Sequence, residues 1–239
     1  MGLFGLGRDE KKELAVTKSA LEQARSGEKE GGFGGAATRF MEGILDTGID
    51  GKSRFDSADA TVRAALAKHD NSAEDAVDEI VKDHLRLAAA GGFLTSLGGF
   101  VTLPISLPAN VLEFYLTATR MVASIAKLRG YDINQPEIRS AILLTLVGAD
   151  ADDLLKKAGV VATGRLSNLA AQRLPGPVLM VVNKAVAFRL LTTAGRGTLT
   201  RFGKGVPVVG GFVGAGLDTY LLRRIAESAR KEFPATTGA

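Results

Sequence analysis

Apolar residues recur every three or four positions along most of the chain. The segment 72–90 shows the pattern clearly, and its apolar face is formed by Val77, Ile80, Val81, His84, Leu85 and Ala88. Such spacing places a continuous stripe on one face of an α-helix. The alternation typical of β-strands is not sustained, and 178–182 is the only short candidate for it. The pattern therefore predicts an all-α protein of roughly ten helices.

Capping residues, prolines and glycines divide this pattern into separate helices. Ser72 opens a capping box with Asp75, Pro136 opens a later helix, and Gly130 ends the helix between them. The predicted helices cover 11–25, 36–48, 57–69, 72–90, 108–129, 136–146, 150–158, 164–174 and 178–193, with a last helix after residue 217. Residues 27–35 (GEKEGGFGG) have the composition of a flexible linker.

These breaks predict three regions. The first is a polar, helical N-terminal extension over 1–55, which includes the linker. The second is a single multi-helix domain over 56–233, with a Gly-rich apolar helical hairpin at its centre. The third is a loose tail over 234–239.

Two Gly-rich segments carry no charge. The first, 87–112, has 26 residues, more than the roughly 20 that span a bilayer. Its four glycines and two prolines favour a bent hairpin or two short helices centred on 91–107. The second, 205–217, has five glycines, and we expect the two to pack together as the apolar centre. Burial in a soluble core, interfacial or re-entrant insertion, and true spanning are all compatible with this pattern. The apolar side chains offered to lipid or core are Phe93, Leu94, Leu97, Phe100, Leu103 and Phe212.

Charge is distributed unevenly along the chain. Residues 1–86 carry 13 basic and 17 acidic side chains, a balance of −4, and 87–239 carry 17 and 9, a balance of +8. Nine basic residues and no acidic one lie between Leu154 and Leu217. A stretch of this kind attracts anionic partners. Phospholipid head groups are favoured over nucleic acid, because few aromatic residues accompany the basic ones to stack on bases.

Three phrases resemble the bacterial EcsC family. They are 88–139 (from AAAGGFLTSLGGFVTLPISLP to INQPEIR), 188–192 (FRLLT) and 203–218 (GKGVPVVGGFVGAGLD), and the similarity covers about 70–233. The family takes its name from a gene in an operon with an ABC transporter. The resemblance implies an all-helical, membrane-associated bacterial protein, and it supplies no catalytic residues.

Catalytic motifs are missing or incomplete. The absence of Cys excludes thiol catalysis and Cys-ligated metals. His84 is a lone histidine on an apolar helical face, which is more typical of a core residue than of a metal ligand. Ser124 and Lys127 match the S-x-x-K motif of acyl-transfer enzymes, but its partner motifs are absent. The three aspartates of 150–153 suit a helix N-terminus better than a cation site.

Four charged residues lie in apolar surroundings: Glu113, Arg120, Arg189 and Asp218. A charge in such a place must be paired, exposed or held in a polar cavity. We expect Glu113 or Asp218 to pair with Arg120 or Arg189 and so fix the packing of helices. A lipid head-group site at the mouth of an apolar pocket and an acid–base pair for hydrolysis are the alternatives. Arg196, Arg201 and Lys204 complete the predicted set of head-group or buried polar residues.

The sequence thus predicts a bacterial, non-enzymatic protein at the inner face of the cell membrane. It would contact anionic lipid through the basic stretch and acyl chains through the Gly-rich segments, with no cofactor, metal or nucleic acid. The alternatives are a soluble protein that binds a lipid or hydrophobic ligand in an internal pocket, a membrane-lipid hydrolase, and an adaptor of an ABC transporter.

Overall fold

The structure, a computed structural model, describes residues 32–52, 56–97, 103–161, 164–201 and 207–236. Side chains are described there except at 32–37, 91–97, 103–111, 193–201 and 207–215. These residues form α-helices and contain no β-strand, which confirms the all-α prediction. The helices are α1 (Gly32–Gly48), α2 (Ala58–Lys68), α3 (Ala73–Leu97), α4 (Leu103–Leu128), α5 (Pro136–Val147), α6 (Ala151–Lys157), α7 (Leu169–Gln172), α8 (Gly176–Arg201) and α9 (Pro207–Glu232). Short 3-10 turns at Gly148–Asp150 and Leu166–Asn168 precede α6 and α7.

The second half of α4 is the centre of the core. It packs against α1, α2, α3, α5 and α9. From Ala118 to Ala126 every residue except Arg120 is buried. Helix α5 is buried in the same way from Ser140 to Leu146. Helices that are apolar or small on all sides belong inside a bundle, with other helices around them.

Helices α3 and α9 run antiparallel and pack against each other extensively. An ion pair of 2.5 Å between Asp78, near the start of α3, and Arg230, near the end of α9, fixes their relative direction. The last turns of α3 therefore lie beside the first turns of α9. Because α3 carries 87–97 of the first uncharged segment and α9 carries 207–217 of the second, these two parts lie at the same end of the pair. We call this end, residues 87–97 and 207–221, the apolar end.

Local signals set most of the predicted helix boundaries. The Ser57 hydroxyl accepts from the Ala60 amide at the start of α2. Gly130, with φ +88°, ends α4: its amide donates to the Lys127 carbonyl and the next amide donates to Ala126, which is a Schellman motif. The structure confirms both predicted ends. They could be predicted because each depends only on neighbouring residues.

The Gly-rich segments are more helical than we predicted. Helix α3 continues through two glycines to Leu97, α8 continues through two more to Arg201, and α9 begins at Pro207 and includes four. The strand candidate at 178–182 is helical, and α4 starts at Leu103, so Pro108 lies inside it rather than in its first turn. Each glycine costs about 1 kcal/mol in a helix. Packing in the bundle outweighs a propensity of that size.

Helix α1, which lies in the predicted N-terminal extension, contributes residues to the common core. Ile44 and Ile49 are fully buried in the common core. Gly48 lets α1 approach α4 closely, since a Cβ at this position would lie 2.9 Å from the Cβ of Thr119. At the other terminus, Thr236 donates to the Arg129 carbonyl through its amide and its hydroxyl, both at 3.0 Å, and this attaches the first residues after α9.

Candidate functional site

Four large apolar side chains are exposed on the outer part of α3 and α9. Their exposed fractions are 52% for Leu87, 37% for Leu217, 55% for Tyr220 and 40% for Leu221. Leu87 and Leu221 each lie nine residues from the Asp78–Arg230 ion pair along their own helices, a rise of about 13.5 Å. They are therefore at the same height on the antiparallel pair. Leu87 lies on the core-facing side of α3 and the other three on the outward side of α9, so the four share a height along the helices and not one face. We call these four residues together the apolar patch.

Leu87 continues a stripe that is buried elsewhere. It follows Ala76 by about three helical turns and Ile80 by about two, so all three lie on one face of α3. Ala76 and Ile80 are buried, whereas Leu87 is half exposed. The core-facing stripe of α3 therefore leaves the protein core as it reaches the apolar end.

Arginines border the patch on the side away from the apolar end. Arg223 and Arg224 are exposed on α9, two and three residues after Leu221. Arg86 is exposed on α3, next to Leu87, and donates to Asp83 at 3.1 Å. Arg224 lies one turn after Tyr220 on the outward face of α9. These residues were not predicted from the sequence, although apolar side chains at i, i+3 and i+4, followed by two arginines, are a pattern that could have indicated them.

A polar pair lies inside the bundle, one turn from the patch. The Arg120 Nε–H donates to Nε2 of His84 at 3.2 Å, and the His84 Nδ1–H donates to the Ile80 carbonyl at 2.8 Å. Burial, together with the Arg120 charge, lowers the pKa of His84 to about 4. The imidazole is therefore neutral at physiological pH, as its role of acceptor toward Arg120 requires. Desolvation also lowers the pKa of Arg120, partly offset by the charge of Asp56. The prediction that His84 is a satisfied core residue is confirmed.

The two embedded arginines bond to groups that the sequence did not predict. Arg120 bonds to His84, and Arg189 pairs with Asp150, whose Oδ2 accepts from Nε and Nη2 at 2.8 Å each. Glu113 is exposed on α4 and makes no ion pair within the described part of the chain, and Asp218 is half-buried on α9. The expectation that Glu113 pairs with either arginine is therefore wrong. Both observed pairs join residues more than thirty positions apart, so spacing along one helix could not reveal them.

The basic stretch 156–204 divides between two ends of the bundle. Lys156, Arg165 and Arg173 are exposed in and around α6 and α7, at the beginning of the stretch. Arg196 and Arg201 belong to the last turns of α8, which leads within five residues to the start of α9. Their side chains and all of Lys204 lie outside the described residues. The same holds for the side chains of the predicted lipid-contact residues, Phe93, Leu94, Leu97, Phe100, Leu103 and Phe212.

Other candidate chemistry has ordinary structural partners. The Ser124 hydroxyl donates to the Ala58 carbonyl at 3.5 Å, and Lys127 forms an ion pair with Asp59. The two residues of the S-x-x-K motif thus face different groups. Within the described ranges, His and carboxylate side chains form no cluster able to hold a metal ion. No helix in those ranges has both the length and the apolar character needed to cross a membrane.

Comparison with known proteins identifies one relationship. No curated protein and no solved structure matches the chain. The family model of the EcsC protein family matches residues 42–234, from the second half of α1 to the end of α9. The match begins close to Ile44, the first residue of α1 in the buried core. The chain therefore belongs to the EcsC protein family.

Proposed function

We propose that this protein is a peripheral membrane protein that inserts its apolar end shallowly into an anionic bilayer. The proposal depends on one observation: the exposed apolar patch lies at the end of α3 and α9 that carries 87–97 and 207–217, which are parts of the two uncharged segments. In water these side chains are poorly placed, whereas acyl chains would cover them.

The order of residues along α9 supports a bilayer as the covering partner. From the apolar end, the exposed side chains change from Leu217 to Tyr220 and Leu221, and then to Arg223 and Arg224. Tyrosine prefers the boundary between acyl chains and head groups, and arginine binds the phosphates just outside it. The same order of apolar, aromatic and basic residues is typical of helices that lie in membrane interfaces.

The expected affinity is that of a reversible contact. Covering a half-exposed leucine or tyrosine gains about 1 kcal/mol, and the patch has four such residues. Each arginine near an anionic surface adds about 1 kcal/mol. Because these gains are small, the protein should leave the membrane when salt screens its arginines.

Vesicle flotation tests the proposal. We expect the wild-type chain to float with vesicles of phosphatidylcholine and phosphatidylglycerol, and to float poorly with phosphatidylcholine alone. The double variant Leu217→Gln/Leu221→Gln should bind several-fold less. Met180→Gln is the control, because Met180 is also an exposed large apolar residue, at 52%, but lies at the start of α8, away from the apolar end. Equal flotation of the double variant and the wild type would refute the proposal.

A further inference from the structure

We infer that the Arg120 guanidinium binds a phosphate group, carried either by a lipid head group or by a small phosphorylated ligand. Its Nε–H donates to His84, and the edge formed by its two terminal amino groups remains available to a ligand. Within the described part of the chain that edge makes no hydrogen bond. It is one of the two edges with which arginine binds phosphate bidentately.

His84 acts as a positioning residue for this edge. It is buried, with only 3% of its surface exposed, and its Nδ1–H is committed to the Ile80 carbonyl at 2.8 Å. The lone pair on Nε2 therefore has a fixed direction, and by accepting from the Arg120 Nε–H it fixes the orientation of the guanidinium. A guanidinium that is already oriented loses little conformational freedom when an anion binds.

Arg120 also forms no ion pair with any of the described residues. Arg129, Arg139 and Arg189 are largely buried, and each forms an ion pair with a carboxylate. Arg120 is half-buried, yet in the described structure no carboxylate lies within ion-pair distance of it, and Asp56 acts only through its more distant charge. Partial burial strengthens the attraction between this arginine and an incoming anion.

The location suits a ligand with both a phosphate and an apolar part. His84 precedes Leu87 by three residues, a rise of about 4.5 Å along α3. A phosphate on Arg120 would thus lie near the edge of the apolar patch. The choice of a lipid as the carrier rests on the proposed function, whereas the phosphate chemistry of Arg120 does not.

Titration with inorganic phosphate tests the site itself. At constant ionic strength, the His84 ring signals in NMR spectra should shift saturably with phosphate and should not shift with chloride. Arg120→Gln should weaken binding about tenfold or more, in line with the loss of charge-assisted hydrogen bonds. Arg120→Lys retains the charge without the planar edge, and it should also bind severalfold more weakly. Arg63→Gln, an exposed arginine of α2, is the matched control and should bind like the wild type.

Flotation with vesicles containing phosphatidic acid then separates the two sources of phosphate. Loss of flotation in Arg120→Gln and Arg120→Lys, with competition by free phosphate, assigns the site to a lipid head group. Normal flotation together with lost phosphate binding assigns it to a small phosphorylated ligand. Normal phosphate binding in both variants overturns the inference, and it leaves the Leu217/Leu221 test of membrane contact unaffected.

Discussion

His84 should make the stability of the fold depend on pH over a defined range. Its pKa falls from 6.5 to about 4 on folding, chiefly through burial and then through the Arg120 charge, against smaller opposing effects from the Ile80 carbonyl and Asp83. Between these values the unfolded chain binds more protons than the folded one. Stability is therefore complete above pH 6.5 and is lost as the pH falls toward 4. At pH 5 the loss is about 2 kcal/mol, and it grows to about 3 kcal/mol below pH 4.

Urea denaturation at pH 7.5 and pH 5.0 measures this loss. Carboxylates also titrate in this range, so the comparison is with His84→Gln, which retains an acceptor for Arg120 but has no titratable ring. The free energy of unfolding of the wild type should fall by about 2 kcal/mol more than that of the variant. An equal fall in the two proteins would show that His84 is not held neutral by its surroundings, and it would refute the geometry of the pair with Arg120.

Three other perturbations test the packing and the membrane contact. Gly48→Ala should destabilise the fold by about 1–3 kcal/mol in thermal or urea unfolding, because the new methyl group would lie 2.9 Å from a threonine Cβ of α4. Phe233→Ala should cost about 3–5 kcal/mol in the same assay, since this ring is fully buried after α9. Charge reversal at Arg196, Arg201 and Lys204 should weaken flotation with anionic vesicles; unchanged flotation would exclude a contact through this part of the basic stretch.

Features that depend on neighbouring residues could be predicted from the sequence. The N-cap at Ser57 and the Schellman motif at Gly130 each involve at most six consecutive residues. The apolar face of α3 followed from periodicity, and Val77, Ile80 and His84 are indeed buried. Helix lengths in the Gly-rich segments were underestimated, because propensity is local whereas the packing that overrides it is not.

The candidate site could be predicted only in part. His84 was recognised as a core residue, but its partner Arg120 lies 36 residues away on another helix. Such a pair depends on the rotation of two helices about their axes, which periodicity alone does not fix to within one residue. The exposure of Leu87 could not be predicted either, because Leu87 has the same position in the helical periodicity as the buried Ile80. Only the three-dimensional arrangement shows that its stripe continues beyond the core.

The described core and the apolar patch occupy different parts of the same long helices. The buried core centres on α5 and on α4 from Ala118 onward, and it reaches α9 at Leu222 and beyond. The exposed leucines of α9 come just before that residue. The second half of α9 can therefore stabilise the core, while its first half contacts a different environment such as a bilayer. Glycines suit this first half of α9, because they expose little apolar side-chain surface to water. In an apolar medium the backbone still favours a helix, since a helix satisfies its own hydrogen bonds. A contact with the bilayer would in this way require no unfolding of the core.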